Sequence, residues 1–296
     1  MSDYSKMREQ MKSGAGFVAA LDQSGGSTPK ALSLYGVAPT DYNGDEAMFK
    51  AMHEMRARII LADDFTNAKI IGAILFERTM HDEIEGTPVA ELLWKRRGVV
   101  PFLKIDKGLE DEANGVQMLK PMPGLEEVLA TAKAKGVFGT KERSVINHAN
   151  PEGIAAIVAQ QFDVARTVLA AGLVPILEPE VNIHSESKAE AETLLEAEIA
   201  RHLDTLDEGV DVMLKLTLPD QPGLYDGLAQ HPRVLRVVAL SGGYSTDVAS
   251  EKLAQNAHMI ASFSRALTEG LSVKMSDAEF GAALGSNIDK IYRASI

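Results

Sequence analysis

Lys215 stands inside the run Val210-Asp211-Val212-Met213-Leu214-Lys215-Leu216-Thr217-Leu218-Pro219, which is apolar on nearly every residue. A charge is costly in such a place. An amine put there tends to give up its proton, and a neutral amine is a nucleophile for carbonyl carbon. A single lysine near a strand end commonly just snorkels to water. Its meaning therefore depends on what else converges on it.

The same placement, a polar residue late in an apolar run, recurs along the chain. Asp22 ends the run from Phe17, and Lys104 and Asp106 end the run from Val99. Lys141 with Arg143, and Glu178 with Glu180, are again two apart, so each pair lies on one face of a strand. Taken singly, Asp22 or Glu178 would cap a helix or pair with an arginine, and Lys104, Lys141 and Arg143 would form stabilising ion pairs. Brought together, three lysines, an arginine and several carboxylates are expensive unless they have a task. The cations would depress Lys215 by like-charge repulsion and would attract an anionic substrate.

Two glycine-rich loops offer backbone N–H groups to anions, Ser24-Gly25-Gly26-Ser27 and Ser241-Gly242-Gly243, and Arg265 follows the second. Two anion cradles around one lysine suggest a small-molecule substrate with two phosphates. Metal chemistry is argued against. None of the seven histidines pairs with another at ligand spacing, and there is no cysteine. The electron sink expected is the imine of a lysine, with no cofactor and no metal.

These residues need elements to carry them. Apolar runs predict strands over 17–22, 70–76, 99–106, 137–146, 173–181, 210–219, 234–240 and 259–262. Helical periodicity predicts helices over 2–14, 45–61, 125–135 and 185–206, with a further one near 89–95. Asn150-Pro151 and Ser276-Asp277-Ala278-Glu279 read as a helix cap and a capping box. Eight strands alternating with helices over about 250 residues fit a (β/α)₈ TIM barrel. The expectation is one barrel domain over 1–296, with an N-terminal helix and an extra C-terminal helix. In a barrel the catalytic groups gather at the C-terminal ends of the strands.

The net charge of −12 argues against nucleic acid and anionic membrane as partners. No run approaches 18 apolar residues and the N-terminus is polar, which reads as a cytoplasmic protein. Self-association into a homo-oligomer stays open.

Several motifs, in order, resemble class I fructose-1,6-bisphosphate aldolase in its shorter bacterial form. They are Ala20-Leu21-Asp22-Gln23-Ser24-Gly25-Gly26-Ser27, Leu103-Lys104-Ile105-Asp106-Lys107-Gly108 and Leu173-Val174-Pro175-Ile176-Leu177-Glu178-Pro179-Glu180. Met213-Leu214-Lys215, Leu240-Ser241-Gly242-Gly243 and Ser262-Phe263-Ser264-Arg265-Ala266-Leu267 complete the set. The resemblance implies that Lys215 forms a Schiff base with the C2 ketone, and that Glu178, supported by Glu180 and Lys141, dehydrates the carbinolamine. It implies that Asp22 handles the C4 hydroxyl proton. Lys104, Arg143, Ser24 and Ser27 would contact the C6 phosphate, and Ser241, Gly242, Gly243 and Arg265 the C1 phosphate. Against the animal pattern, Gln23 replaces a glutamate, Glu142 a tryptophan, Leu216-Thr217 a Pro-Asn pair and Phe263-Ser264 a Tyr-Gly pair. The alternatives are another Schiff-base barrel, such as tagatose-bisphosphate aldolase or transaldolase, and a non-catalytic phosphosugar-binding barrel. Two phosphate cradles disfavour transaldolase, and a buried amine is not needed for binding alone.

Overall fold

The computed structural model describes residues 1–24 and 26–296. Eight parallel strands run in sequence order around a barrel: β1 (Phe17–Leu21), β2 (Ile70–Leu75), β3 (Val100–Lys104), β4 (Gly139–Ile146), β5 (Val174–Val181), β6 (Val212–Thr217), β7 (Val234–Leu240) and β8 (Met259–Ala261). Each pairs with its successor, and β8 lies back against β1. The principal helices are α1 (Asp3–Ser13), α2 (Thr28–Tyr35), α3 (Gly44–Leu61), α4 (Leu125–Ala134), α5 (Pro151–Ala170), α6 (Lys188–Leu203), α7 (Thr246–Leu253) and α8 (Asp277–Ala294). The predicted (β/α)₈ barrel is the architecture found. Among the described residues no helix is long and apolar enough to cross a membrane.

The caps read from the sequence are the ones that start the helices. Asn150 accepts from Gly153 N at the start of α5, and Ser276 and Glu279 form the reciprocal box that opens α8. The helix expected from residue 185 begins at Lys188 instead, because Asn182–Ser187 turns back on itself, with Ser185 N donating to Asn182 O. Not anticipated are α2, a hairpin pairing Glu83–Ile84 with Thr87–Pro88, and a short strand, Val116–Gln117, antiparallel to the end of β4.

Strand residues alternate between an outer shell against the helices and the barrel interior. Val18, Ile74, Val100, Phe102, Val174, Ile176, Met213, Val238 and Ile260 form one buried cluster together with Met7 and Met11 of α1. Helix α1 thus closes the N-terminal end of the barrel. It is held there by a fork from Arg8 to Asp211 (2.6 and 2.8 Å) and by Arg236, which donates to the carbonyls of Met11 and Gly14. At Gly139 the space is so tight that a β-carbon would sit 2.1 Å from the Val174 carbonyl oxygen. Two residues further along β3, β5 and β6, the same parity carries Phe102, Ile176 and Met213 into Lys104, Glu178 and Lys215 at the opposite end.

Candidate active site

Register brings the charged side chains together. Lys104 is level with Lys141 across β3 and β4, and Arg143 with Glu178 across β4 and β5. The β5–β6 ladder stops at Leu177 and Leu214. Pro179 has no N–H to carry it on. Further along, the Thr217 hydroxyl replaces the ladder by accepting from Val181 N and donating to Val181 O, both at 2.9 Å. Glu178 and Lys215 lie in the opening between the last ladder pair and this hydroxyl clamp.

At that opening Lys215 Nζ is 2.9 Å from Glu178 Oε1, and Lys141 Nζ is 2.9 Å from Glu178 Oε2 and 2.6 Å from Asp22 Oδ2. The four groups form a chain, Lys215–Glu178–Lys141–Asp22. Lys141, Glu178 and Lys215 are each at most 5 % exposed. The Lys141–Glu178 contact is ionic in distance but not aligned as a hydrogen bond, so Glu178 Oε2 keeps an unused lone pair. On the far side, Lys104 Nζ is 2.6 Å from Asp106 Oδ1, Asp106 Oδ2 accepts from Arg143 N, and Arg143 Nε pairs with Glu180 Oε2.

The electrostatics follow from this pairing. Burial pushes the Asp22 carboxyl up, but Lys141, Lys215 and Lys104 override it and hold Asp22 well below the usual carboxylate range. Burial likewise raises Glu178, and Lys141 and Lys215 bring it below its ordinary value. Burial would strip the proton from Lys141, yet Asp22, Glu178 and Asp106 keep Lys141 well above the usual lysine range. Lys141 is therefore a fixed cation between two fixed carboxylates. Removing Lys141 would leave buried Asp22 and Glu178 without their shared cation, a loss of about 3–5 kcal/mol.

A cavity of about 480 Å³ opens over this chain, a size that suits a small-molecule ligand. Nine of the predicted residues line it: Asp22, Ser24, Ser27, Lys104, Lys141, Arg143, Glu178, Lys215 and Arg265. Gly25 lies outside the described residues. Glu180 is not at the wall; it stands behind Arg143. Ser241, Gly242 and Gly243 also lie aside from the wall. The loop is turned by Gly242 (φ 58°) and Gly243 (φ 127°), and a β-carbon at Gly243 would come 3.5 Å from Arg265 Nη2. The loop after β7 thus abuts Arg265. Among the described residues no three His, Cys, Asp or Glu side chains are grouped to hold a metal ion.

The cavity also holds Gln23, Ser264 and Lys30, to which the sequence assigns no role in the site. Gln23 and Ser264 are uncharged and carry no periodic signal. Lys30 projects from α2, whose signals were present: Pro29 in the first turn, Leu32 and Tyr35 one turn apart on the buried side, and Gly36 as left-handed stop.

The family model for class-I fructose-bisphosphate aldolase matches residues 5–218. A fructose-bisphosphate aldolase class 1 of Synechocystis is 56 % identical over 288 residues, covering 97 % of this chain and 96 % of that protein. The protein of the same name from Porphyromonas gingivalis is 55 % identical over 97 % of this chain and 98 % of its own length. Among solved structures, fructose-bisphosphate aldolase from Plasmodium falciparum, crystallised with TRAP and a small-molecule inhibitor, superposes with a TM-score of 0.77 at 21 % identity. That match covers 99 % of this chain and 93 % of the other.

Proposed function

The chain belongs to the class-I fructose-bisphosphate aldolase family, and from that membership we propose that it reversibly cleaves fructose 1,6-bisphosphate to dihydroxyacetone phosphate and glyceraldehyde 3-phosphate through an imine on Lys215. The observation that carries the residue roles is the Lys215–Glu178–Lys141–Asp22 chain.

Glu178, held as a carboxylate 2.9 Å from Lys215 Nζ, takes a proton from the lysine and frees the amine lone pair for the C2 carbonyl. The same carboxyl then returns the proton to the carbinolamine hydroxyl, which leaves as water and produces the protonated imine. Asp22, kept ionised by its lysine neighbours, accepts the proton of the C4 hydroxyl. As the C4 carbonyl forms, the C3–C4 bond breaks and its electron pair moves into the imine, giving an enamine and free glyceraldehyde 3-phosphate. Protonation at C3 and hydrolysis of the imine release dihydroxyacetone phosphate and restore Lys215. Lys104, Arg143, Ser24 and Ser27 hold the phosphate at C6. Arg265 and the loop Ser241-Gly242-Gly243 hold the phosphate at C1.

Borohydride reduction in the presence of dihydroxyacetone phosphate tests this reading. The expected product is a stable adduct on Lys215, found by mass spectrometry and missing from Lys215→Met. An adduct on another lysine, or none, would refute it.

A further inference from the structure

Gln23 Nε2 donates to Ser264 Oγ at 2.7 Å, joining the loop after β1 to the loop after β8 across 241 residues of sequence. Its other side is clamped by Arg56, whose Nη2 donates to the Gln23 backbone carbonyl at 2.6 Å and to Gln23 Oε1 at 3.3 Å. Arg56 is 2 % exposed, and its Nη1 donates to Thr79 Oγ1 at 2.7 Å. Burial brings this guanidinium down to about 10 against the pull of Asp22 and Asp82, so near neutrality it is still a cation.

A guanidinium has only donors. Arg56 therefore fixes which end of the carboxamide faces it: the oxygen turns to Arg56 and Nε2 turns to Ser264. Nε2 can only donate, so Ser264 Oγ accepts. The hydroxyl proton of Ser264 is then directed elsewhere, and no acceptor takes it among the described residues. Gln23 and Ser264 both line the cavity. Arg265, next along the chain, makes no ion pair and no side-chain hydrogen bond among the described residues.

We infer that Ser264 is a substrate-binding residue whose hydroxyl donates to the phosphate held by Arg265, and that Gln23 is the positioning residue that aims this proton. The inference rests on the aldolase reading above, and it explains why position 23 is neutral. A glutamate there would accept the Ser264 proton itself, reverse the hydrogen bond and remove a donor from the phosphate.

The experiment is steady-state kinetics in the condensation direction for the wild type, Ser264→Ala, Gln23→Glu and the double variant. Dihydroxyacetone phosphate carries only the phosphate assigned to Arg265. Ser264→Ala is expected to raise its KM about five- to tenfold, to leave the KM for glyceraldehyde 3-phosphate within twofold, and to change kcat far less than KM. Gln23→Glu is expected to show the same KM rise while its Tm holds or climbs, because the new carboxylate pairs with Arg56. A merely structural contact would not separate KM from Tm in this way. The double variant should be no worse than either single variant. An unchanged KM for dihydroxyacetone phosphate in Ser264→Ala, a rise in the other substrate's KM instead, or additive effects in the double variant would overturn the inference. These results are interpreted alongside borohydride trapping of the wild type. An adduct on Lys215 with unaltered Ser264→Ala kinetics removes only this inference, whereas absence of the adduct removes the aldolase reading and this inference with it.

Discussion

Glu178 Oε1 and Lys215 Nζ are 2.9 Å apart at the point where β5 and β6 stop pairing. The distance suits a proton moving from the lysine to the carboxylate and back to a leaving hydroxyl. Lys141, on the other carboxylate oxygen, keeps Glu178 charged between turnovers.

Replacing Glu178 with Gln removes that proton carrier and keeps the volume. Turnover should fall by roughly 10²–10⁴-fold, and rapid-quench trapping should show imine formation slowed by a similar factor. Trapping at the wild-type rate would mean that another group carries the proton.

Asp22→Asn should separate the two halves of the reaction. Cleavage of fructose 1,6-bisphosphate should drop by roughly 10²–10⁴-fold. Exchange of the C3 proton of dihydroxyacetone phosphate with deuterium oxide should persist, since enamine formation does not need the C4 base. Joint loss of exchange and cleavage would place Asp22 in imine chemistry instead.

Lys30 lines the cavity from α2 on the side of Ser24 and Ser27, and it is solvent-exposed. Lys30→Ala should raise the KM for fructose 1,6-bisphosphate by about three- to tenfold, a contact of about 1 kcal/mol. The effect should shrink as salt is added. A KM that is unaltered at low salt would take Lys30 out of the phosphate site.

Glu142 makes a pH-dependent contribution to stability. It is fully buried on the outer face of β4 with neither oxygen hydrogen-bonded among the described residues. Burial, with Asp106 adding to it, pushes its carboxyl well above the ordinary value of 4.5. The unfolded chain therefore ionises first. Stability is full below about 4.5 and drains away as the pH rises toward the folded value. Glu142→Gln cannot ionise, so its Tm advantage over the wild type should be small at pH 4 and grow by pH 8. A constant or shrinking difference would contradict a neutral buried acid.

The gathering of charged side chains at one cavity was legible because of strand parity. Lys104, Lys141, Glu178 and Lys215 are charges at inward positions of apolar runs, and register alone gathers them in a barrel. Parity was silent on Gln23 and Ser264, which act through the direction of a hydrogen bond, a property set by Arg56 from a distant helix. Helix α2 is short and follows directly on the glycine-rich segment, so neither it nor Lys30 stands out in the sequence. In the sequence Met7 and Met11 are one apolar stripe of a short helix among several, and only the structure shows that they stop the end of the barrel.

That stopper has a consequence in time. Arg8 and Asp211 are 203 residues apart, and at typical translation rates of 5–20 residues per second the partner emerges roughly 10–40 s after the arginine. Gln23 waits longer for Ser264, at a separation of 241 residues. During synthesis the first strand and helix are apolar surfaces without a seat, exposed to whatever is nearby. The end of the chain that closes the barrel is also the end that must be kept from sticking while the rest is made.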